Sequence, residues 1–219
     1  TVWVNVIDDK IRAIIMKYHN GMHIYSSNLD YDKTEIVKLV RKTKPSMVLG
    51  VEAIISDISD MLGDYSCEYG YVKKMKKSAG NYKYDDVKTA TLEDVGSLTK
   101  MLMEDEGFSV GYTYDEMFGQ ILERIADEYG KTFYIRNEDE ICAQLGISAI
   151  TNQFMIISNV YTLKQYRGKQ YASKLFSYMS YISEGKEIYL FCYGDKLSGY
   201  YDHIGFETVQ LWGKLCVKV

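Results

Sequence analysis

The sequence lacks a long apolar run, a CxxC pair and an excess of basic residues, and each absence removes a class of protein. Its longest apolar stretch, residues 47–55, contains Glu52 and is far shorter than the roughly 18 residues that a membrane span needs. The chain carries 26 Lys and Arg against 30 Asp and Glu, a formal charge of -4 that gives no general field for holding nucleic acid or an anionic membrane. We therefore expect a soluble protein with no nucleic-acid and no membrane partner.

Cysteine and histidine are both few and widely spaced. The four cysteines lie in apolar, strand-like surroundings, at Cys67, Cys142, Cys192 and Cys216. Such thiols are typically reduced and buried, which predicts a cytoplasmic location. His19 and His23 are four residues apart, but the Asn20-Gly21 turn between them is incompatible with a helical zinc pair. We predict no metal site.

What the chain does have is enough apolar material for a core, at 47% hydrophobic residues over 219 positions. The first 27 residues alternate and break at residues 8–10 and 19–21, which predicts a three-stranded meander. A helix over residues 29–44, a strand at 47–51, a second helix over 54–62 and a strand at 67–72 follow. Residues 73–81, basic and then small, indicate a solvated linker, so we place a domain boundary near residue 82.

The second part begins with a capping box, in which Thr91 and Asp94 satisfy the first amides of a helix. Thr113 and Glu116 repeat the device for a helix that ends at Gly130, the expected left-handed cap. Strands at 132–136, 140–150 and 154–162, a helix over 169–183, a strand at 187–193 and a helix over 196–203 are predicted next. Two further strands are expected toward Val219.

The two parts share an order of elements, namely meander, helix, strand, helix and strand. Residues 2–24 can be set against residues 132–156, which suggests either a duplication or the loose similarity of any two α/β stretches. If the duplication is real, the first copy has no counterpart of the loop described next. It would then be a structural or substrate-shaping half.

The segment between Thr162 and Lys169 joins a strand to a helix through a turn that contains Gly168. Such a turn leaves several backbone amides unpaired, and the helix dipole adds about half a positive charge there, so the segment favours an anion such as pyrophosphate. Arg167, Lys169 and Lys174 add positive charge at the same end. The alternative is an ordinary solvated helix start.

This segment resembles the acyl-CoA pyrophosphate loop of the GNAT acyltransferase superfamily, which reads Gln or Arg, two residues, Gly, one residue, then Gly or Ala. Arg167 matches the first position and Ala172 the last, while Gln170 stands at the central glycine. Residues 199–206 are similar to the last motif of the family, with Tyr201 at the position of the general acid. The usual Asn and Ala of that helix are Gly194 and Leu197 here. The resemblance covers about residues 86–219.

The resemblance implies an α/β fold with a mixed, mainly antiparallel GNAT-like sheet flanked by helices. Residues 1–82 would form a degenerate GNAT-like or substrate-shaping domain, and residues 83–219 the acetyltransferase domain. It further implies acetyl-CoA as co-substrate, seated where a strand splays from its neighbour, with the Val160 amide polarising the thioester carbonyl. The implied coenzyme-binding residues are Val160, Tyr161, Thr162, Arg167, Gly168, Lys169, Gln170, Tyr171 and Ala172.

The function implied is N-acetyl transfer to a primary amine of a small molecule or peptide by direct attack in a ternary complex. Tyr201 would protonate the departing thiolate. A base must free the amine, and a water chain, Glu187 and the acidic run 104–106 stay open for that role. The alternative is an acyl-CoA-binding module without turnover, and a third reading is an interaction protein. The acceptor amine, the acyl chain length and the oligomeric state stay open.

Overall fold

The chain forms two compact units of strands and helices in a computed structural model that describes residues 1–76, 82–109 and 111–218. The first unit contains Thr1–Val72, Phe191–Gly199 and Thr208–Val219. The second contains Lys73–Leu190 and Tyr200–Glu207. The units are therefore not two consecutive stretches, because segments from the end of the chain belong to the first.

The first 75 residues form a three-stranded meander, which is followed by a helix, a strand, a second helix and a further strand, as the sequence predicts. The elements are β1 (Val2–Ile7), β2 (Lys10–Tyr18), β3 (Gly21–Tyr25), α1 (Lys33–Thr43), β4 (Met47–Val51), α2 (Glu52–Ser59) and β5 (Tyr65–Met75). The Asp32 side chain caps α1 by accepting the Glu35 amide at 3.0 Å. Lys44, left-handed at φ 44°, ends the helix just before Pro45.

The rest of the chain contributes five helices and six strands among the described residues. They are β6 (Val87–Thr89), α3 (Val95–Leu102), α4 (Glu106–Ser109), α5 (Tyr114–Ala126), β7 (Lys131–Asn137), β8 (Glu140–Ile150), β9 (Phe154–Thr162), α6 (Tyr171–Ile182), β10 (Glu187–Tyr193), α7 (Asp195–His203) and β11 (Phe206–Val217). Both predicted capping boxes are confirmed, at Thr91 with Asp94 and at Thr113 with Glu116.

Strand pairing follows one scheme in each unit. In the first, β1, β2 and β3 form an antiparallel meander, β4 lies parallel to β3, and β11 is antiparallel to β4. In the second, β6 to β9 are antiparallel neighbours, and β10 lies parallel to β9. The fold class is confirmed as mixed, mainly antiparallel α/β. Both units also place a parallel strand beside the last strand of a meander, after an intervening helix.

Each unit has its own apolar core. In the first, Ile36 and Val40 of α1 and Ile54 and Ile58 of α2 are buried in one cluster with Ile15 of β2. In the second, α3 and α5 supply Leu98, Leu102 and Ile121 to a cluster that includes Tyr161 and Leu163. The spacing of these residues puts them on one face of each helix, which is why the helices are amphipathic.

Three sequence predictions are wrong in detail. The two strands expected toward Val219 are the single strand β11. The left-handed residue after α5 is Glu128, at φ 58°, and not Gly130. Gly130 has another role, because a Cβ there would lie 2.6 Å from the Ile147 carbonyl oxygen. Finally, Cys67 is exposed, whereas Cys142 and Cys192 are buried, although all four cysteines stay as thiols.

The run predicted as a solvated linker begins inside β5. Lys73 is fully buried, and its Nζ lies 2.7 Å from Oδ1 of Asp202. Residues 77–81 of that run lie outside the described residues, and the boundary near residue 82 stays a prediction. Of the helices that the described residues form, none has the length and apolarity of a membrane-spanning segment.

One helix–sheet contact in the first unit depends on a pair of glycines. Gly213 of β11 lies directly across from Gly50 of β4, and a Cβ at Gly213 would lie 2.6 Å from Cβ of Ile55 in α2. We expect Gly213→Ala to lower the free energy of unfolding by about 1–3 kcal/mol, because α2 must move away from the sheet. Urea unfolding measures this change.

The matched control is Gly63→Ala, where the added methyl meets no atom within 4 Å. That variant should unfold at the wild-type urea concentration or slightly above it, because alanine restricts the unfolded chain. Equal destabilisation by the two substitutions would contradict the packing argument.

Candidate functional site

A β-bulge shapes the second half of β9. Gln144 of β8 lies across from Tyr161, and Gly146 lies across from Ser158, so Asn159 and Val160 together oppose a single residue. Asn159 adopts the left-handed conformation, at φ 52°, which asparagine tolerates better than the branched residues around it. Bulges bend a strand and redirect its edge. The sequence analysis missed this bulge, although an asparagine within an apolar strand is a signal for one.

The opposite edge of β9 loses its partner at the same place. Pairing with β10 runs from Phe154 with Glu187 to Ile157 with Leu190, and no later pair is formed in the described part of either strand. The backbone of residues 158–162 therefore has an open edge on the side away from β8. The opening begins at Ser158, two residues before Val160, which is itself half-buried.

The loop from β9 to α6, residues 163–170, presents a row of unpaired amides. After a short 3₁₀ turn at Lys164–Tyr166, the chain passes through Gly168 at φ 79° and Gln170 at φ 63°. The first hydrogen bond of α6 runs from the Lys174 amide to the Gln170 carbonyl, at 2.9 Å. Within the described residues, the amides of residues 168–173 donate to no acceptor. Together with the helix dipole, they form a site suited to an anion.

Gln170 stands where the GNAT loop pattern has its central glycine, and it adopts the left-handed backbone conformation that glycine favours. A left-handed backbone is free for glycine and costs other residues about 1–2 kcal/mol, so glycine is the expected residue here. Gln170 adopts that conformation nevertheless, and its exposed side chain accepts a hydrogen bond from the Tyr82 hydroxyl at 3.2 Å. The Gln170 side chain is therefore held at the surface by Tyr82.

Arg167 is held against the end of β9. Its Nε donates to the Thr162 carbonyl at 3.1 Å, and its guanidinium lies 3.8 Å from the Asp105 carboxylate. The guanidinium also lies over the Tyr161 ring, 5.6 Å from the centroid. Arg167 is thus oriented beside the loop, and its exposed ion pair with Asp105 is weak enough to be exchanged for another anion.

Two lysines at the loop, Lys169 and Lys174, differ in their ion pairing. Lys169 is exposed, with Nζ 5.0 Å from the centre of the Tyr166 ring. Lys174 pairs with Asp86 at 2.5 Å. Lys169 therefore adds positive charge at the loop, whereas the charge of Lys174 is balanced. Tyr171 and Ala172, both half-buried, form the first turn of α6.

Two buried polar side chains, Tyr161 of β9 and Gln144 of β8, lie near the end of β9. Burial and the Asp105 carboxylate raise the pKa of the Tyr161 phenol, against the lowering effect of Arg167. Across from Tyr161, Gln144 is fully buried and donates Nε2 to the Leu98 carbonyl at 3.1 Å. Its Oε1 finds no hydrogen-bond partner among the described residues. An unmet buried acceptor typically marks a place for water or a ligand, and the sequence analysis did not identify it.

Tyr201 lies in α7 with only 6% of its surface exposed. Its ring makes edge contacts with Phe176 and Phe206, at centroid distances of 5.9 Å and 5.5 Å. The next residue, Asp202, is the partner of buried Lys73, and this ion pair fixes α7 to β5. The structure thus supports Tyr201 as a packed aromatic side chain, and its role as an acid stays a prediction.

The carboxylates considered as bases differ in their distance from the open edge. Glu187 lies beside Phe154 at the beginning of β9, about 26 Å along the strand from Thr162. Its carboxylate is already bound by Lys74 and by the Tyr189 hydroxyl, and Lys74 lowers the pKa of Glu187. Glu187 is therefore excluded as a base at the end of β9. Asp105, in contact with Arg167, lies at the end of β9 that leads into the loop.

Sequence comparison finds one family model, described as the Acetyltransferase (GNAT) family, which matches residues 97–206. These residues are half of the chain and include the whole β9–α6 loop. No curated protein sequence is similar enough to count as a relative.

Solved structures with a similar fold cover most or all of the chain. A functionally unknown conserved protein from Staphylococcus epidermidis shares 10% identity, with a TM-score of 0.67 over 99% of this chain and 95% of that one. A GCN5-related N-acetyltransferase from Kribbella flavida shares 10%, with a TM-score of 0.63 over 94% and 87%. A GNAT-family acetyltransferase from Novosphingobium aromaticivorans shares 16%, with a TM-score of 0.53 over 70% of this chain and 66% of that one. At these identities the likeness shows the fold alone.

The bulge at Asn159 offers a direct test of how the open edge is formed. We expect Asn159→Val to lower both the thermal midpoint and the affinity for acetyl-CoA, because a β-branched residue at φ 52° is strained by about 1–3 kcal/mol. Asn159→Gly, which accepts this backbone freely, should keep the affinity within about threefold. Scanning calorimetry measures the thermal midpoint of each variant, and titration calorimetry measures its affinity for acetyl-CoA. Equal affinities for acetyl-CoA in the two variants would show that the bulge does not shape the site.

Proposed function

This chain belongs to the GNAT acetyltransferase family, and from that premise we propose that it transfers an acetyl group from acetyl-CoA to a primary amine. Family membership supports acyl transfer from an acyl-CoA. The finer proposal is direct attack by the amine while both substrates are bound. One observation carries the proposal that the chain uses acetyl-CoA, namely the row of amides at residues 168–173, beside Arg167 and Lys169, that have no acceptor within the described residues.

The loop fits a diphosphate on three counts. Its amides have no acceptor within the described residues, and Gly168 has open space around the position of a Cβ. Arg167 and Lys169 place two cations beside these amides, in a chain whose overall charge is negative. In this proposal the coenzyme is bound by Val160, Tyr161, Thr162, Arg167, Gly168, Lys169, Gln170, Tyr171 and Ala172.

When bound, acetyl-CoA supplies an acyl group activated as a thioester. The open edge of β9 then provides backbone donors and acceptors in the direction in which the strand leaves β10. The Val160 amide is the donor that we assign to the thioester oxygen, and the bulge at Asn159 sets its direction. A fixed donor aimed at a developing negative charge lowers an acyl-transfer barrier by about 3–4 kcal/mol.

Proton transfers involve two further residues in this proposal. A primary amine of pKa about 10.4 is mostly protonated at pH 7, so Asp105, directly or through water, accepts its proton. What supports Asp105 in this role is its ion pair with Arg167, whose side chain lies against the end of β9. The Tyr201 hydroxyl donates a proton to the departing sulfur, and the resulting phenolate takes up the proton that the attacking nitrogen releases as the amide forms. Its ring is fixed by Phe176 and Phe206, which limits its movement.

A second candidate function is an acyl-CoA-binding module without turnover. Two observations favour it. Tyr201 is almost fully buried among aromatic rings, and β9 contains no carboxylate between Ile156 and Thr162. In that case the loop binds the coenzyme but no residue moves protons.

The acceptor is proposed to be an amine of a small molecule or peptide, in a cytoplasmic setting. Its recognition is assigned to the segment between α3 and α5, because Asp105 brings that segment against the loop through Arg167.

The deciding experiment is a panel of amines assayed with acetyl-CoA by release of free thiol. We expect turnover with at least one amine, and a fall in kcat of about 100-fold or more in Tyr201→Phe with the acetyl-CoA affinity unchanged. Tyr181→Phe is the matched control, because this tyrosine of α6 is 71% exposed and the substitution should leave kcat unchanged.

Two results distinguish the alternatives. Acetyl-CoA that stabilises the protein without thiol release for any amine supports the binding module. Absence of any stabilisation by acetyl-CoA contradicts both candidates.

A further inference from the structure

Three buried oxygen atoms on the β8–β9 pair have no hydrogen-bond partner among the described residues. They are Oε1 of Gln144, Oγ of Ser158 and the hydroxyl of Tyr161. Gln144 is fully buried, and Tyr161 is only 5% exposed. A buried polar atom without a partner costs free energy, and in native proteins such an atom is usually bonded to protein or to ordered water.

Strand register puts the three side chains on the same face of the sheet. Gln144 lies directly across from Tyr161, and Gly146, two residues further along β8, lies across from Ser158. Positions that are two residues apart on one strand, or directly opposite on neighbouring strands, share a face. The bond from Gln144 to the Leu98 carbonyl identifies this face as the one that α3 covers.

The Gln144 amide cannot satisfy its oxygen by turning over. Its Nε2 donates to the Leu98 carbonyl at 3.1 Å, and a flipped amide would place Oε1 against that carbonyl oxygen, where two acceptors repel. The guanidinium of Arg167 lies over the Tyr161 ring, 5.6 Å from its centroid, and makes no hydrogen bond to the hydroxyl. Oε1 of Gln144 therefore needs a donor that comes from outside the described side chains.

Gly146 leaves room for such a donor beside Ser158. A Cβ at Gly146 would lie 3.5 Å from Oγ of Ser158 and 3.6 Å from Oγ1 of Thr132, which are ordinary contact distances. The nearest other atom would be the Ser158 carbonyl oxygen, at 3.4 Å. A position bordered by three oxygens suits water, because a buried water molecule typically makes about three hydrogen bonds.

We propose that Gln144, Ser158 and Tyr161 bind ordered water on the α3 side of the bulge. Ser158 precedes the two bulged residues and Tyr161 follows them, while Gln144 is on the neighbouring strand. A bulge interrupts the ladder of hydrogen bonds between its strands. Water bonded to these side chains links β8 to β9 across the interruption and holds the bulge in its conformation. The consequence for the Val160 amide, which the bulge directs, rests on the proposed function.

The first test is the thermal midpoint of the full chain without coenzyme. We expect Ser158→Ala and Tyr161→Phe each to lower it by about 2–4 °C, because each variant removes a hydrogen bond to water. If these oxygens were unbonded, the same variants would raise the midpoint, because a polar group buried at a cost would be gone. The matched control is Tyr181→Phe, whose 71% exposed side chain should leave the midpoint unchanged. An unchanged or raised midpoint in either Ser158→Ala or Tyr161→Phe overturns the proposal.

A high-resolution crystal structure of the wild-type chain identifies the bonded atom. We expect a water oxygen about 2.5–3.0 Å from Oε1 of Gln144. A protein donor in that place, or no bonded atom at all, overturns the proposal.

Titration with acetyl-CoA separates this site from the proposed function. We expect Ser158→Ala to weaken acetyl-CoA binding by about fivefold, because the bulge is held less firmly. Full affinity in this variant would contradict the positioning role of the water. A wild type that binds no acetyl-CoA would contradict the proposed function, and the thermal midpoint and the crystal structure would still decide whether water is bound.

Discussion

Unpaired backbone amides at the start of α6 are the constraint on which this account depends. A backbone amide needs an acceptor, from the protein, from solvent or from a ligand, and the first turn of a helix cannot supply one from within. In this chain, neither a side-chain cap nor a neighbouring carbonyl within the described residues takes the amides of residues 168–173. The protein satisfies them with solvent or with a bound anion, and Arg167 and Lys169 favour the anion.

The surrounding fold keeps these amides in place. The bulge at Asn159 and the end of pairing with β10 leave residues 158–162 of β9, which lead into the loop, without a strand partner on that side among the described residues. The carbonyl of Thr162 anchors Arg167, and Asp105 brings the segment after α3 to the same point. The ion pair of Lys73 with Asp202 fixes the end of α7.

Local signals in the sequence were sufficient to predict most helices and strands and the position of the loop between β9 and α6. The capping boxes at Thr91 and Thr113, the meander and the glycine turn at Gly168 depend on neighbouring residues, so their patterns predict them. What was missed depends on partners distant in sequence. Lys73 is predicted to be solvated because nothing near it shows that Asp202, 129 residues later, is its partner. Likewise, the bulge at Asn159 depends on the register of β8, and the unmet acceptor of Gln144 depends on how α3 packs.

The most direct test of the central claim is a titration of the ¹⁵N-labelled chain with acetyl-CoA, followed by amide resonances in two-dimensional NMR. If the main chain of the loop binds the diphosphate, the amide protons of residues 168–173 move downfield and saturate together, while those of β1 stay in place. Saturable binding that leaves these six amides unmoved would show that the coenzyme is held elsewhere and would contradict the account.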